Sequence, residues 1–325
     1  MTGNKSKYKL VVNHVTDGID VGTYRKGSQI PSINEFRKNF GLSRDTVFAG
    51  LSELKSRGII DSTPGVGYFV TSTRIASKHH IFLLFNEFNE FKEDLYNSFI
   101  EAVGKTASVD IYFHNYNRKV FDTLVNEANG KYTMYVIMSG KFKGVEPLLE
   151  SLSGRVYLLD HYHPELRGKY SSVAQNFDKD TYEALVYGVD HIRKYKRILM
   201  IQKEEKEPEE RYDGLKVFCG EYGFGHDYIS SAKGLSIVQG DLFMVVSDRD
   251  LVELLKQAGK QKLQAGKDFG IISYNDTPLK EILAGGITTL STDFKEMGKT
   301  MSKLIAKKSI ETIDNPWQLN VRRSL

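Results

Sequence analysis

Apolar residues Tyr8, Val11, Val12, Val15 and Ile19 fall on one side of a 3.6-residue spiral. Residues 5–19 therefore read as an amphipathic helix, closed by the glycine-bearing stretch Gly18 to Gly27. The same spacing returns at Ile33, Phe36 and Phe40, with Ser32 placed as N-cap and Glu35 three residues on as its capping-box partner, predicting a short helix over 33–40. Gly41 suits the left-handed turn that ends such a helix, and Ser43 caps the next one, whose inward face is Val47, Leu51 and Leu54. After Gly58 the period drops to two. Ile59-Ile60-Asp61 and Tyr68-Phe69-Val70-Thr71 read as strands around the turn Thr63-Pro64-Gly65-Val66-Gly67. Helix, tight turn, second helix and hairpin is the order of a winged helix-turn-helix.

A different rhythm begins at Ile81. Short apolar runs at 81–85, 109–113, 132–138, 156–159, 197–201, 242–246, 269–273 and 287–290 alternate with helical stretches near 92–104, 118–128, 179–193, 209–222, 248–258 and 293–307. Continuous apolar strands separated by helices indicate doubly wound parallel sheets covered on both faces, and so many strands call for two sheets. The expected fold is α/β: a winged helix-turn-helix over 1–71, a polar linker over 72–80, and a two-lobed effector-binding and dimerisation domain over 81–325.

Charge sharpens this division. Residues 1–78 carry twelve lysines and arginines against six acids, a net +6, which leaves −2 of the chain's +4 for the remainder. A basic module on a near-neutral body points to a polyanion partner for the small part alone. The single cysteine, Cys219, excludes an internal disulfide and a multi-cysteine zinc site. No stretch resembles a signal peptide or a membrane span, so the expected compartment is the cytoplasm, with no membrane partner.

The first turn of a recognition helix is the part that reaches base edges in the major groove, and here it reads Arg44-Asp45-Thr46. Candidate DNA contacts are Ser32, Asn34, Ser43, Arg44, Asp45, Thr46, Lys55 and Arg57, with Gly65 and Gly67 in the wing. The run Ile30-Pro31-Ser32, Phe36, Phe40 to Arg44, Thr46-Val47, Leu51, Leu54, Gly58-Ile59-Ile60 and Gly65 to Val70 resembles the N-terminal domain of GntR-type bacterial transcription factors over about 65 residues. That family often places arginines where this chain has Asn34 and Phe48, so the resemblance implies double-stranded DNA as partner but not the operator sequence.

In open parallel sheets, ligands bind beyond the carboxyl ends of the strands. Those positions are rich in amide, acid and aromatic residues, which suit a sugar's hydroxyls and apolar face: Asn86-Glu87-Phe88, Asp160-His161, Gln175-Asn176-Phe177, Ser247-Asp248 and Tyr274-Asn275. The segments Arg211-Tyr212-Asp213-Gly214, Val245 to Asp248, Gly266 to Leu279, Gly286 to Leu290 and Glu296-Met297-Gly298 resemble the sugar-binding domain of lactose-repressor-type regulators. From that resemblance Arg211, Asp248 and Asn275, with Asn176 or Phe177, are implied as effector ligands. Asn86, Glu87, Phe88, Asp160 and Tyr274 complete the candidate effector set. That family usually has a longer helix where this chain has the poorly helical Tyr228 to Gly240. The fusion resembles the arabinose-repressor subgroup of GntR regulators, implying a homodimeric repressor with a pentose or related monosaccharide bound between its two lobes.

Rival readings are a metal enzyme using His161 and His163 beside Asp160, and a ligand-free architectural DNA binder. No Cys partner and no H-x-x-x-H, G-x-S-x-G or P-loop pattern is present. No catalytic residue, metal or cofactor is therefore assigned. Cys219 reads as a packing residue, and the acidic run Lys203 to Glu210 as a solvated loop, its position before Arg211 leaving room for a gating loop as the alternative.

Overall fold

The computed structural model describes residues 4–73, 75, 79–203, 206–307 and 309–325. The expected linker residues Arg74, Ala76, Ser77 and Lys78, and Glu204 and Glu205 of the acidic run, lie outside that set. The chain forms two compact units: 1–87 with 100–159 and 168–171, and 88–99 with 160–167 and 172–325. The division does not follow the linear order of the chain, because residues 88–99 belong to the second unit.

In the head, α1 (Asn4–Asp20), α2 (Ile33–Phe40) and α3 (Arg44–Ser56) precede β1 (Ile60–Thr63) and β2 (Gly67–Val70), which pair antiparallel with Ile60 opposite Val70 and Thr63 opposite Gly67. The capping box forms as the spacing requires: Ser32 Oγ accepts from the Glu35 amide and Glu35 returns a bond to the Ser32 amide at 2.7 Å. Gly41 takes φ 62°, and Ser43 caps α3 through the Thr46 amide. Val11, Val15, Phe36, Val47, Leu51, Leu54 and Ile59 are completely buried. Their common core fixes α3 against α1 and leaves the start of α3 at the surface.

The body begins with β3 (His79–Phe85), α4 (Glu90–Val103), β4 (Ala107–Phe113), α5 (Arg118–Ala128), β5 (Met134–Ile137), α6 (Glu146–Glu150), β6 (Arg155–His161) and β7 (Ser171–Gln175). It continues through α7 (Phe177–Tyr187), α8 (Val189–Ile192), β8 (Arg197–Ile201), α9 (Glu210–Tyr222), β9 (Gly225–Ile229), β10 (Asp241–Val245) and α10 (Asp248–Gln261). The last elements are β11 (Gly270–Tyr274), α11 (Pro278–Ile282), β12 (Thr288–Thr292), α12 (Phe294–Ala306), β13 (Thr312–Asp314) and β14 (Trp317–Asn320). Two six-stranded sheets result, in the orders β13-β7-β6-β5-β3-β4 and β14-β12-β11-β10-β8-β9. In the second, β14 pairs antiparallel with β12 while the other pairings are parallel. The fold is thus the α/β arrangement expected, a winged helix-turn-helix followed by two parallel-sheet lobes.

Two expectations change in detail. The helix foreseen over 179–193 breaks at Gly188, where a β-carbon would sit 2.8 Å from Leu319 Cδ2, so the glycine admits β14 against the helix pair. Residues 230–240 contain no helix; Asp250 ties this segment down by accepting from the Ala232 amide at 3.0 Å. Among the described residues no helix is long and apolar enough to cross a membrane.

Candidate functional site

On the head, Ser43, Arg44 and Asp45 are exposed at the turn between α2 and α3 and the start of α3, Asn34 is exposed in the first turn of α2, and Arg37 and Lys38 add positive charge to its last turn. Sequence reading passed over Arg37 and Lys38, although their place on the face opposite Phe36 was available from the helical period. Phe48, one turn into α3, is 56% exposed. Gly65 and Gly67 have φ 75° and 142°, and Gln29 braces the wing by donating to the Val66 carbonyl at 3.0 Å.

Three expected DNA contacts are committed elsewhere. Thr46 does not lie on the outward face: it is buried, with its hydroxyl 2.7 Å from Ser43 Oγ, because the third residue after the cap turns back towards the cap and the core. Lys55 bonds Asp61 and Ser62, both at 2.8 Å. Arg57 donates to the Ile75 carbonyl at 3.0 Å and faces Glu53 at 3.7 Å. Both lie at the far end of the recognition helix from Arg44. Ser32 serves chiefly as a helix cap.

In the second unit, the ends of β6, β7 and β11 and the first turns of α7 and α9 assemble a buried polar cluster. The Arg211 guanidinium, from α9, lies 4.5 Å from the Phe177 ring centroid and 4.7 Å from that of Tyr274. Its Nη1 donates to Glu207 at 2.8 Å, while its Nε is buried and, among the described residues, without a hydrogen-bond partner. Tyr274 shares a 2.7 Å bond with Thr181 Oγ1, and burial pushes its phenol up to about 12, keeping it a neutral donor. The cavity lined by Phe177, Asp180, Thr181, Tyr274 and Trp317 holds only about 10 Å³, and the guanidinium lies within 4.7 Å of both ring centroids.

Asp160 is the second anchor. It sits at φ 79°, buried, accepting from Lys92 Nζ at 2.7 Å and Gln175 Nε2 at 2.6 Å. Burial alone would raise its pKa, but the Lys92 ammonium, with the hydrogen bonds from Lys92 and Gln175, holds it below the ordinary carboxylate value. Beside it, the His161 ring lies tilted against those of Phe177 and His163, with centroids 5.5 and 4.9 Å away. His161 faces Glu210 at 3.6 Å, and this contact brings the Glu210 carboxyl down to about 2. Lys92 gave no signal in the sequence, because a lysine in an amphipathic helix reads as a solvated residue; here it is 4% exposed.

The remaining candidates divide. Asn176 stands between β7 and α7, and its backbone amide donates to Asp180, whose burial raises that carboxyl to about 7. Asp248 is turned to the surface, its side chain 64% exposed and paired at 2.8 Å with the buried Lys280. Lys280 also donates to the carbonyls of Tyr274 and Asn275, at 2.8 and 2.7 Å, fixing the loop in which Asn275 holds φ 60°. Phe88 is 52% exposed, Asn86 is buried with its side chain capping the Glu87 amide at 2.9 Å, and Asn86 and Glu87 belong to the first unit. His163 pairs with Glu165 at 3.1 Å, and among the described residues no three His, Cys, Asp or Glu side chains converge as a metal site.

Comparison with known proteins identifies the two modules. Residues 7–70 match the family described as bacterial regulatory proteins, gntR family, and residues 191–323 match the periplasmic binding protein-like domain. The chain therefore joins a GntR-type helix-turn-helix to a periplasmic-binding-protein-like domain. A probable fructoselysine utilization operon transcriptional repressor of Escherichia coli K12 is 34% identical over 68 residues, 21% of this chain and 28% of that protein. An uncharacterized HTH-type transcriptional regulator of Bacillus subtilis, YdfD, is 38% identical over 64 residues, 20% of this chain and 13% of its own length. The chain thus spans under a third of these relatives. A LacI family regulator from Silicibacter pomeroyi superposes with a TM-score of 0.65 at 15% identity, covering 76% of this chain and 98% of that one. A LacI family regulator from Enterococcus faecium with bound ribose gives 0.60 at 16% identity, covering 75% and 98%. At these identities the likeness is one of fold.

Proposed function

We propose that the protein is a sequence-specific, DNA-binding transcriptional repressor of the cytoplasm whose operator affinity is set by a small neutral sugar bound at the Arg211–Asp160 cluster. The observation that carries this reading is the state of Arg211: a guanidinium 6% exposed, held between two aromatic faces, with Nε–H unpaired among the described residues. A buried donor without an acceptor costs free energy, which a ligand oxygen recovers. Ring displacement of the guanidinium would open two aromatic faces of the kind that pack on a sugar ring. Lys92, Arg211 and Lys280 each already have a carboxylate, in Asp160, Glu207 and Asp248. With these cations already matched among the described residues, a pentose or similar polyol fits better than a phosphorylated one. Ribose in a regulator of the same fold supports that choice.

On the DNA side, Arg44 and Asn34 are the candidate base readers, Arg37 and Lys38 the phosphate contacts, and the wing at Gly65 to Gly67 the outer contact. A dimer would present two such heads to half-sites about 34 to 36 Å apart, and a coupling of about 1 to 3 kcal/mol between sugar and operator suffices for a 5- to 150-fold change in affinity. The test is fluorescence anisotropy with a duplex selected from a random library by the protein itself, at fixed salt, with and without pentoses. A sugar that weakens binding supports the reading; operator affinity unmoved by every sugar that binds the protein would refute the repressor mechanism.

A further inference from the structure

Within the first compact unit, the head meets the first sheet of the body at a feature that neither site uses. The His80 ring, on β3, packs 4.4 Å from the Tyr132 ring centroid, and its Nε2 lies 2.9 Å from Asp110 Oδ2 on β4. Tyr132 also donates to that oxygen at 2.9 Å and shares a 2.9 Å bond with Tyr112, so the imidazole is held in one orientation by a hydrogen-bonded chain. The hydrogen bond from His80 holds the Asp110 carboxyl below its ordinary value. The opposite edge of the ring faces the head at Gly58, the residue that closes the recognition helix. A β-carbon there would stand 2.6 Å from His80 Nδ1, and the glycine also has φ 66°. Around this contact Lys26, Lys55 and Asp61 of the head face Asp110, Lys131 and Tyr132 of the body across a cavity of about 490 Å³. Lys131 helps hold the Asp61 carboxyl below its ordinary value.

We propose that the winged helix is docked on its own effector domain through His80, and that this contact sets the pose of the recognition helix. It grips the helix at its C-terminal end and leaves Arg44 free at the other. It also accounts for the diversion of Lys55 and Arg57 from the reading face: they belong to the docking side of the head. A head fixed in this way presents one inter-head distance to a two-fold operator, whereas a loosely tethered head loses ordering entropy on binding.

Lysine-directed cross-linking with mass spectrometry on the full chain, without DNA or sugar, tests the docking. The wild-type protein should give Lys55–Lys131 and Lys26–Lys131 links within one protomer. His80→Ala should lower both about tenfold, a loss on the scale of an ordinary coupling energy, while links inside the head persist. His80→Gln, whose amide can still donate to Asp110, should restore them. Should His80→Ala fail to fold, Asp110→Ala, on the half-exposed side of the pair, is expected to give the same loss. Absence of the links in the wild type, or unchanged links in a folded His80→Ala or Asp110→Ala protein, would overturn the proposal. Because neither ligand is present, that result would leave the proposed function standing.

Discussion

Replacing Lys92 with methionine removes one charge from a pair that is almost fully enclosed. The ammonium and the Asp160 carboxylate are 2.7 Å apart with side chains 5% and 11% exposed, and Asp160 also accepts from Gln175. Methionine keeps the length and packs on Phe294, whose ring lies 5.1 Å from the ammonium, so the principal loss is electrostatic. An unpaired buried carboxylate costs about 3 to 5 kcal/mol. The single tryptophan, Trp317 on β14, reports unfolding of the second unit by fluorescence. With a urea slope of roughly 1 to 3 kcal/mol/M, the midpoint should fall by at least about 1 M. Adding Asp160→Asn should recover most of the loss, since asparagine tolerates φ 79° and still accepts from Gln175. The pH response carries the sign. The depressed Asp160 pKa means that the pair's stabilisation is present above the ordinary carboxylate value and fades as pH falls through the folded value. In Lys92→Met burial prevails and the pKa rises, so mild acid should relieve part of the defect. A loss below about 1 kcal/mol, or a double variant less stable than the single, would refute the reasoning.

Asp180 gives the opposite slope: its folded value of about 7 lies above the ordinary 3.8, so stability falls as pH rises from that ordinary value through 7, by at most about 4 kcal/mol. Asp180→Asn should flatten the fall in melting temperature between about pH 5 and 8; an unchanged slope would show that the carboxyl is ionised throughout. Gly214→Ala places a methyl 2.1 Å from the Asp178 carbonyl oxygen where α9 crosses α7, and overpacking there should cost about 1 to 3 kcal/mol or more in denaturant titrations. Arg44→Ala should abolish selective operator binding with melting unchanged, whereas Arg57→Ala should lower head stability through the lost Ile75 and Glu53 contacts. Reversal of that pattern would mean that the recognition helix has been read from the wrong end.

The head was almost fully legible because its signals are local. The box of Ser32 and Glu35, the Gly41 turn and the inward triad Val47, Leu51 and Leu54 act within a few residues of one another. The central strands of both sheets announced themselves as unbroken apolar runs. The strands that escaped are β7, made of small and polar residues; β9, an edge strand whose Gly225, His226 and Asp227 are exposed; and the short β13 and β14. Their pairing is decided by distant partners, which periodicity cannot see. The same limit governs the site. Arg211, Phe177 and Tyr274 were named from strand ends and family resemblance, and the structure brings them into contact. Which cation would meet Asp160 depends on a helix 68 residues away, and the surface position of Asp248 depends on Lys280. Thr46 turned inward because a residue three past the cap serves the cap as well as the groove.

The central claim is that the Arg211 cluster receives a neutral sugar. Its most direct measurement is a thermal-shift titration of the wild-type protein and Arg211→Ala with ribose, arabinose, xylose and their phosphate esters. A bound ligand at a hundred times its Kd adds about 2.7 kcal/mol to the folded state. The account predicts that at least one free pentose raises the wild-type melting temperature, that its phosphate ester does so less, and that Arg211→Ala responds to neither. Stabilisation by the phosphate esters alone, or an equal response from Arg211→Ala, would contradict it.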